Sequence, residues 1–179
     1  MNRTKKISLI IVALVLVTVA ASTYFGYITF SATSPPEETS AAAEIAPDVL
    51  LGMDKMVVST GVGALQRVKQ SHAGNIAHVK DVAIVHYVKE DGMLTLWTTL
   101  YKNETIANTE NEKMVIGMQN WGGGWASNLK ERTIAGKQVY QTAPDNGSHY
   151  FWADREWVFY IIPHNFTHQE ISQIIGAIP

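Results

Sequence analysis

Residues 81 to 101 read DVAIVHYVKEDGMLTLWTTLY and contain the pattern that decides the fold. The segment 81–89 is β-branched and apolar, which predicts a strand buried on both faces. Glu90, Asp91 and Gly92 predict a tight turn, and residues 93–101 predict the returning strand. Successive side chains of a strand point to opposite sides, so the returning strand has two distinct faces. One face carries Thr95, Trp97, Thr99 and Tyr101, and the other carries Leu94, Leu96, Thr98 and Leu100.

Helices and shorter strands flank this hairpin. A strand is predicted at residues 55–59 and a helix from there to about residue 72. A second helix is predicted at 103–118, followed by four short strands at 129–134, 138–142, 149–153 and 157–162. Thr167 and Glu170 form a capping box that opens a last helix. This order predicts an α+β domain with an antiparallel sheet, made of a ferredoxin-like βαββαβ start, a β-meander and a C-terminal helix.

The first thirty residues predict a membrane anchor. Arg3, Lys5 and Lys6 precede an uncharged run at residues 7–30, whose 24 residues would span roughly 36 Å as a helix. This exceeds the roughly 30 Å of bilayer hydrocarbon. The positive-inside rule places the N-terminus in the cytoplasm and the C-terminal domain outside the cell membrane. The alternative is a signal peptide cleaved before Ser22, but the apolar run continues past that point and favours a single-pass anchor.

Composition sets further limits on the exported part. Residues 31–47 are rich in Pro, Ser, Ala and Glu and predict a flexible linker, so the folded domain is expected at residues 48–179. The chain has no cysteine, which excludes disulfides, thiolate metal sites and a lipidated cysteine. Eleven of the 14 basic residues lie beyond residue 6, against 16 acidic ones. This balance does not favour nucleic acid as a partner.

Several stretches carry a resemblance to known proteins. TGVGALQRVKQSHAG, LTLWTTLY, KMVIGMQNWGGGW and HYFWADREWVFYII together resemble a family of uncharacterised archaeal, membrane-anchored surface proteins. The last of them, with the helix after it, is also similar to the closing strand-strand-helix of lipoprotein carriers and envelope-stress sensors. These resemblances imply an extracytoplasmic location and an architecture, and they imply no catalytic residues.

The six histidines are the candidates for chemistry in a chain without thiols. His72, His86 and His149, if brought together, would form a copper or zinc site with an open position. The alternative is that each is a neutral imidazole bonded to backbone or exposed to solvent. His164 and His168 have i,i+4 spacing but straddle the predicted start of the last helix. No catalytic motif is present, so an enzyme is not predicted.

The stretch QNWGGGWASN at residues 119–128 allows two interpretations. Consecutive glycines end a helix and permit a sharp corner, which would pack Trp121 or Trp125 against the sheet. The same tryptophans would also suit a loop that stacks on a sugar or a peptide. Asn103, Asn146 and Asn165 each open an N-glycosylation sequence, as expected for a glycoprotein surface.

Taken together, the sequence predicts a membrane-anchored extracytoplasmic binding or accessory domain without catalytic activity. Its expected partners are the membrane, through residues 7–30, and other membrane or surface proteins. Two alternatives stay open. One is a histidine-based metal-binding domain, and the other is a carrier of an apolar ligand or lipid in which a helix covers the sheet.

Overall fold

The structure, a computed structural model, describes residues 40–71, 76–144 and 147–179. Its helices are α1 (Ala41–Glu44), α2 (Gly61–Ser71), α3 (Glu104–Trp121), α4 (Gly123–Ser127) and α5 (His168–Ala177). Its strands are β1 (Val49–Leu50), β2 (Met53–Thr60), β3 (Val79–Lys89), β4 (Gly92–Tyr101), β5 (Lys130–Ile134), β6 (Lys137–Thr142), β7 (His149–Asp154) and β8 (Trp157–His164).

All eight strands form one antiparallel sheet in the order β1-β2-β3-β4-β8-β7-β6-β5. The predicted α+β class, the antiparallel sheet, the meander and the C-terminal helix are confirmed. The ferredoxin-like start is wrong. In that motif a helix joins two parallel strands that have another strand between them, whereas β2 and β3, which α2 joins, are antiparallel neighbours. The strand after α3 and α4 lies at the far edge of the sheet.

The two faces of the sheet are covered differently. The core face packs against α5 and α1, and its centre includes Leu96, Trp152 and Phe159, each at most 1 % exposed. We call the other side the helix face, because α2, α3 and α4 lie on it. There α2 packs on Val82 and Ile84, and α3 packs on Tyr101 and Val158.

The folded domain begins before the expected boundary at residue 48. Ser40 caps α1 and donates a hydrogen bond to an Asp81 carboxylate oxygen at 2.9 Å. Ala42 and Ala46 are fully buried, because small side chains let this segment lie close against the sheet. Lys55 secures it further by donating to the carbonyl oxygens of Ala43 and Ala46. The end of the predicted linker, residues 40–47, therefore belongs to the domain.

The anchor predicted at residues 7–30 lies outside the described residues. Among the residues that the structure describes, no helix is long and apolar enough to cross a membrane. The anchor and the location that follows from it stay predictions.

Glu170 links the start of α5 to the end of β3. Its carboxylate accepts hydrogen bonds from the Thr167 backbone N–H at 2.7 Å and from Lys89 Nζ at 2.9 Å. The Thr167 side chain completes the predicted capping box, which is confirmed. These contacts lower the pKa of Glu170 to about 2, and the hydrogen bond from the Thr167 N–H makes the largest contribution.

The lowered pKa of Glu170 gives a pH-dependent prediction. A carboxyl that ionises more readily when folded stabilises the fold above its unfolded pKa of 4.5, and this contribution is lost as pH falls towards 2. We expect Glu170→Gln to lower the urea midpoint at pH 7, with the difference from wild type closing between pH 4.5 and 2. A difference that stays constant over this range would contradict the assignment.

Candidate functional site

An aromatic row crosses the helix face at the middle of the sheet. Trp97 on β4 and Tyr160 on β8 are directly paired, and their rings stack at 5.2 Å. Phe151 on β7 continues the row, with its ring 5.9 Å from that of Tyr160, and Tyr140 on β6 stacks on Phe151 at 5.3 Å. Direct cross-strand pairing on neighbouring strands therefore brings four aromatic side chains into one line.

His149 connects this row to the tryptophan loop. Its Nδ1 lies 2.7 Å from the Tyr160 hydroxyl oxygen, within hydrogen-bond distance. The edge of its ring meets Trp125 at 5.8 Å, and Trp125 in turn stacks with Trp121 at 6.4 Å. Trp125 is half-buried against the sheet, while Trp121 is 58 % exposed. One tryptophan thus packs at the corner and the other presents its ring to solvent.

The backbone geometry requires glycine at each of the three positions between the tryptophans. Gly122 and Gly123 have φ of 75° and 60°, a region that disfavours side chains, and they separate α3 from α4. A Cβ at Gly124 would lie 2.7 Å from the Pro144 carbonyl oxygen, so only glycine permits this close approach. The Thr142 hydroxyl then donates to the Trp125 carbonyl oxygen at 3.0 Å. The corner is consequently built to hold Trp125 over β6 and β7.

Beside this corner, the helix face is left open near the β3–β4 turn. α2 and the start of α3 lie towards the other end of the strands, and α4 lies over β6 and β7. The open face is therefore formed by side chains of β2, β3, β4 and β8. The strand pairing places these residues side by side: Met56, His86, Val88, Met93, Thr95, Ile162 and His164.

The open face is apolar and carries no acidic or basic residue other than histidine. Val88, Met56 and Met93 are 52 %, 50 % and 40 % exposed. Asp54, two residues before Met56 on β2, marks its margin. Large apolar side chains exposed next to one another on a domain with an acidic excess are typical of a contact surface. Sequence reasoning missed this surface, because residues 81–89 suggested a strand buried on both faces, which holds only for residues 82–85 and 87.

A second group of polar side chains is enclosed beneath α3. Glu110 is only 6 % exposed and accepts a hydrogen bond from Lys113 at 2.7 Å. Burial, followed by the nearby Glu110 carboxylate, raises the pKa of Tyr101. Tyr101 ends β4, whereas Met93 lies at the start of that strand. This group therefore belongs to the packing of α3 and does not border the open face.

The structure separates the histidines that were considered as metal ligands. His86 and His149 lie on the helix face, but β4 and β8 run between their strands, which sets their backbones roughly 14 Å apart. One ion, bound at about 2 Å from each nitrogen, does not reach both. His72 lies outside the described residues. In residues 40–71, 76–144 and 147–179, no three histidine or acidic side chains are grouped to hold an ion.

The glycosylation sequences have different surroundings. Asn103 is exposed and its side-chain oxygen caps α3 by accepting from Ile106 N–H at 3.0 Å. The Asn165 amide nitrogen donates twice to Asp91, to the backbone and to the carboxylate, both at 2.8 Å. Asn146 lies outside the described residues. Because glycans attach to the amide nitrogen, Asn103 is the better placed acceptor of the two described.

Comparisons of the chain with protein-family models, curated proteins and solved structures give no match.

The glycine corner gives a test with a matched control. We expect Gly124→Ala to destabilise the fold by roughly 1–3 kcal/mol and to shift tryptophan fluorescence, because its Cβ would meet two backbone oxygens. Gly117→Ala, inside α3 with no atom near its Cβ, should stabilise by about 0.5–1 kcal/mol. Chemical denaturation measures both. Equal effects of the two substitutions would show that the corner is not held as described.

Proposed function

We propose that this chain is a membrane-anchored, extracytoplasmic binding domain whose open face takes an apolar segment of another membrane or surface protein. The observation that carries the proposal is the adjacency of Met56, Val88 and Met93, each 40 % or more exposed. Covering such side chains would favour association by about 25 cal/mol for each Å² of apolar surface removed from water, before the lost translational and side-chain freedom is subtracted.

The chemistry of the open face suits a protein partner. Methionine side chains are flexible and adapt to an apolar partner surface, and two of the exposed residues are methionines. Thr95, His86 and His164 add hydrogen-bonding groups without a fixed charge. Such a surface favours apolar contact and disfavours the burial of an unpaired charge. An anchor at residues 7–30 would keep the domain near other membrane proteins and raise their effective concentration.

The carrier alternative gains no support from the core face. There α5 places Ile171, Ile174, Ile175 and Ile178 against the sheet, and three of these four are 0 % exposed. The protein's own helix therefore fills the face that a lipid would need.

A stacking ligand is the second candidate, and Trp121 is the observation that favours it. Its ring is 58 % exposed and is backed by Trp125. A sugar ring would stack on such a platform. The two candidates depend on different residues, since a stacking ligand needs Trp121 and an apolar protein segment needs Met93.

Site-specific photo-crosslinking tests the proposed function in the full-length chain in its native membrane. A photoreactive residue at Met93 should give one discrete product with another protein. The same residue at Ile116, which is 55 % exposed on the outer side of α3, is the matched control and should not. Identical products at both positions, or no product from Met93, would contradict the proposal.

Substitution then measures the contribution of the surface. Met93→Asp would bury a carboxylate without a partner and should weaken the complex about tenfold or more, whereas Ile116→Asp should leave it unchanged. Both positions are exposed, so thermal unfolding should show similar stability for the two variants. Loss of binding by Trp121→Ala with full binding by Met93→Asp would replace this proposal with the stacking candidate.

A further inference from the structure

Each exposed methionine of the open face is paired with a histidine on the neighbouring strand. Met56 on β2 lies directly opposite His86 on β3, and Met93 on β4 lies directly opposite His164 on β8. Directly opposed residues of antiparallel strands point to the same side of the sheet, with Cβ atoms about 5 Å apart. The register therefore places a thioether sulfur beside an imidazole ring at two positions on one surface.

These two methionines differ from the others in the described part of the chain. Met56 and Met93 are 50 % and 40 % exposed, while Met53, Met114 and Met118 are buried or half-buried in packed clusters. A methionine in a core fills space, whereas an exposed methionine can offer its sulfur to a ligand. Both methionines with an accessible side chain thus have a histidine partner.

The imidazole rings of the open face are also accessible to a ligand. In residues 40–71, 76–144 and 147–179, the side chains of His86 and His164 form no hydrogen bond or ion pair. His149 differs, because its Nδ1 lies 2.7 Å from the Tyr160 hydroxyl oxygen. A histidine binds a metal through a ring nitrogen whose lone pair is free, and His86 and His164 meet this condition.

The donor atoms select the class of metal. A thioether sulfur is a soft ligand that favours Cu(I), and imidazole also binds copper. Zn²⁺ is bound by thiolate, imidazole and carboxylate rather than by thioether, and hard cations need several oxygen ligands that neither pair supplies. Asp54, two residues before Met56 on β2, places a negative charge near the first pair and favours a cation there.

We propose that the open face binds two Cu(I) ions, one between Met56 and His86 and one between Met93 and His164. An ion held at about 2 Å from each donor atom fits between side chains whose Cβ atoms are about 5 Å apart. β3 lies between Met56 and Met93 and sets their backbones roughly 10 Å or more apart, which favours two ions over one shared ion. The inference goes beyond the proposed function, because it needs no protein partner.

Metal titration of the full-length chain in detergent tests the inference. Ag(I) is the first probe, because it is a soft monovalent ion that needs no reductant, and Cu(I) kept reduced with ascorbate is the second. We expect Met56→Leu and His86→Gln each to lower the bound Ag(I) by one ion per chain, and the double variant to lose no more than either. Met93→Leu and His164→Gln should behave in the same way as a second pair. Leucine keeps nearly the volume of methionine and removes the sulfur, and equilibrium dialysis with elemental analysis measures the bound metal.

Two controls match these substitutions. Met118→Leu removes a sulfur that is 9 % exposed, and His168→Gln removes an exposed imidazole at the start of α5. Both variants should bind as much Ag(I) as wild type. In a chain labelled at its methionine methyl groups, the NMR signals of Met56 and Met93 should shift on addition of Ag(I), and that of Met118 should not. Circular dichroism confirms that each variant is folded.

Three outcomes would overturn the inference. These are unchanged Ag(I) binding in Met56→Leu and Met93→Leu, loss of one ion in His168→Gln, and tighter binding of Zn²⁺ than of Cu(I). The first would show that the sulfurs are not ligands, the second would move an ion to His164 and His168, and the third would show a site without thioether. None of them depends on the crosslinking result at Met93, so this inference and the proposed function fail separately.

Discussion

The pairing of β4 with β8 is the constraint on which the rest of the structure depends. It joins two four-stranded antiparallel units, β1–β4 and β5–β8, into one sheet by matching residues 93–100 with residues 164–157. The same pairing sets Leu96 opposite Ile161 in the core and Trp97 opposite Tyr160 on the helix face. The fully buried core and the aromatic row therefore come from one register, and a slip by one residue would exchange the two faces.

The open face follows from the lengths of the elements. The central strands have 11 and 10 residues, so the sheet is roughly 33 Å long at its centre. On the helix face, α2 and the start of α3 pack near the end marked by Val82 and Tyr101, and α3 ends at the tryptophan corner. No described helix covers Val88 and Met93 at the other end. The protein keeps these side chains in water, which is unfavourable unless a partner covers them.

Local patterns predicted much of the fold but not its assembly. The hairpin, the helices and the α5 capping box were predictable, because alternation, glycine positions and cap residues act within a few neighbours. The strand order was not predictable, because β4 and β8 are about sixty residues apart in sequence. No local pattern in either strand identifies such a distant partner. Burial of β3 was overestimated, since Val88 looks like a core residue in sequence. The sequence indicated Trp121 and Trp125 as site residues. It did not indicate the open face, which the structure places beside them.

The most direct test of the open face is oxidative footprinting of the methionines in the full-length chain, read by mass spectrometry. Met93 and Met118 lie on the same face of the sheet and are 40 % and 9 % exposed, because only Met118 is covered by its helix and the aromatic row. The structure predicts rapid oxidation of Met93 and slow oxidation of Met118 in the isolated chain, and the proposed partner would protect Met93 in the native membrane. Equal rates in the isolated chain would contradict the existence of the open face.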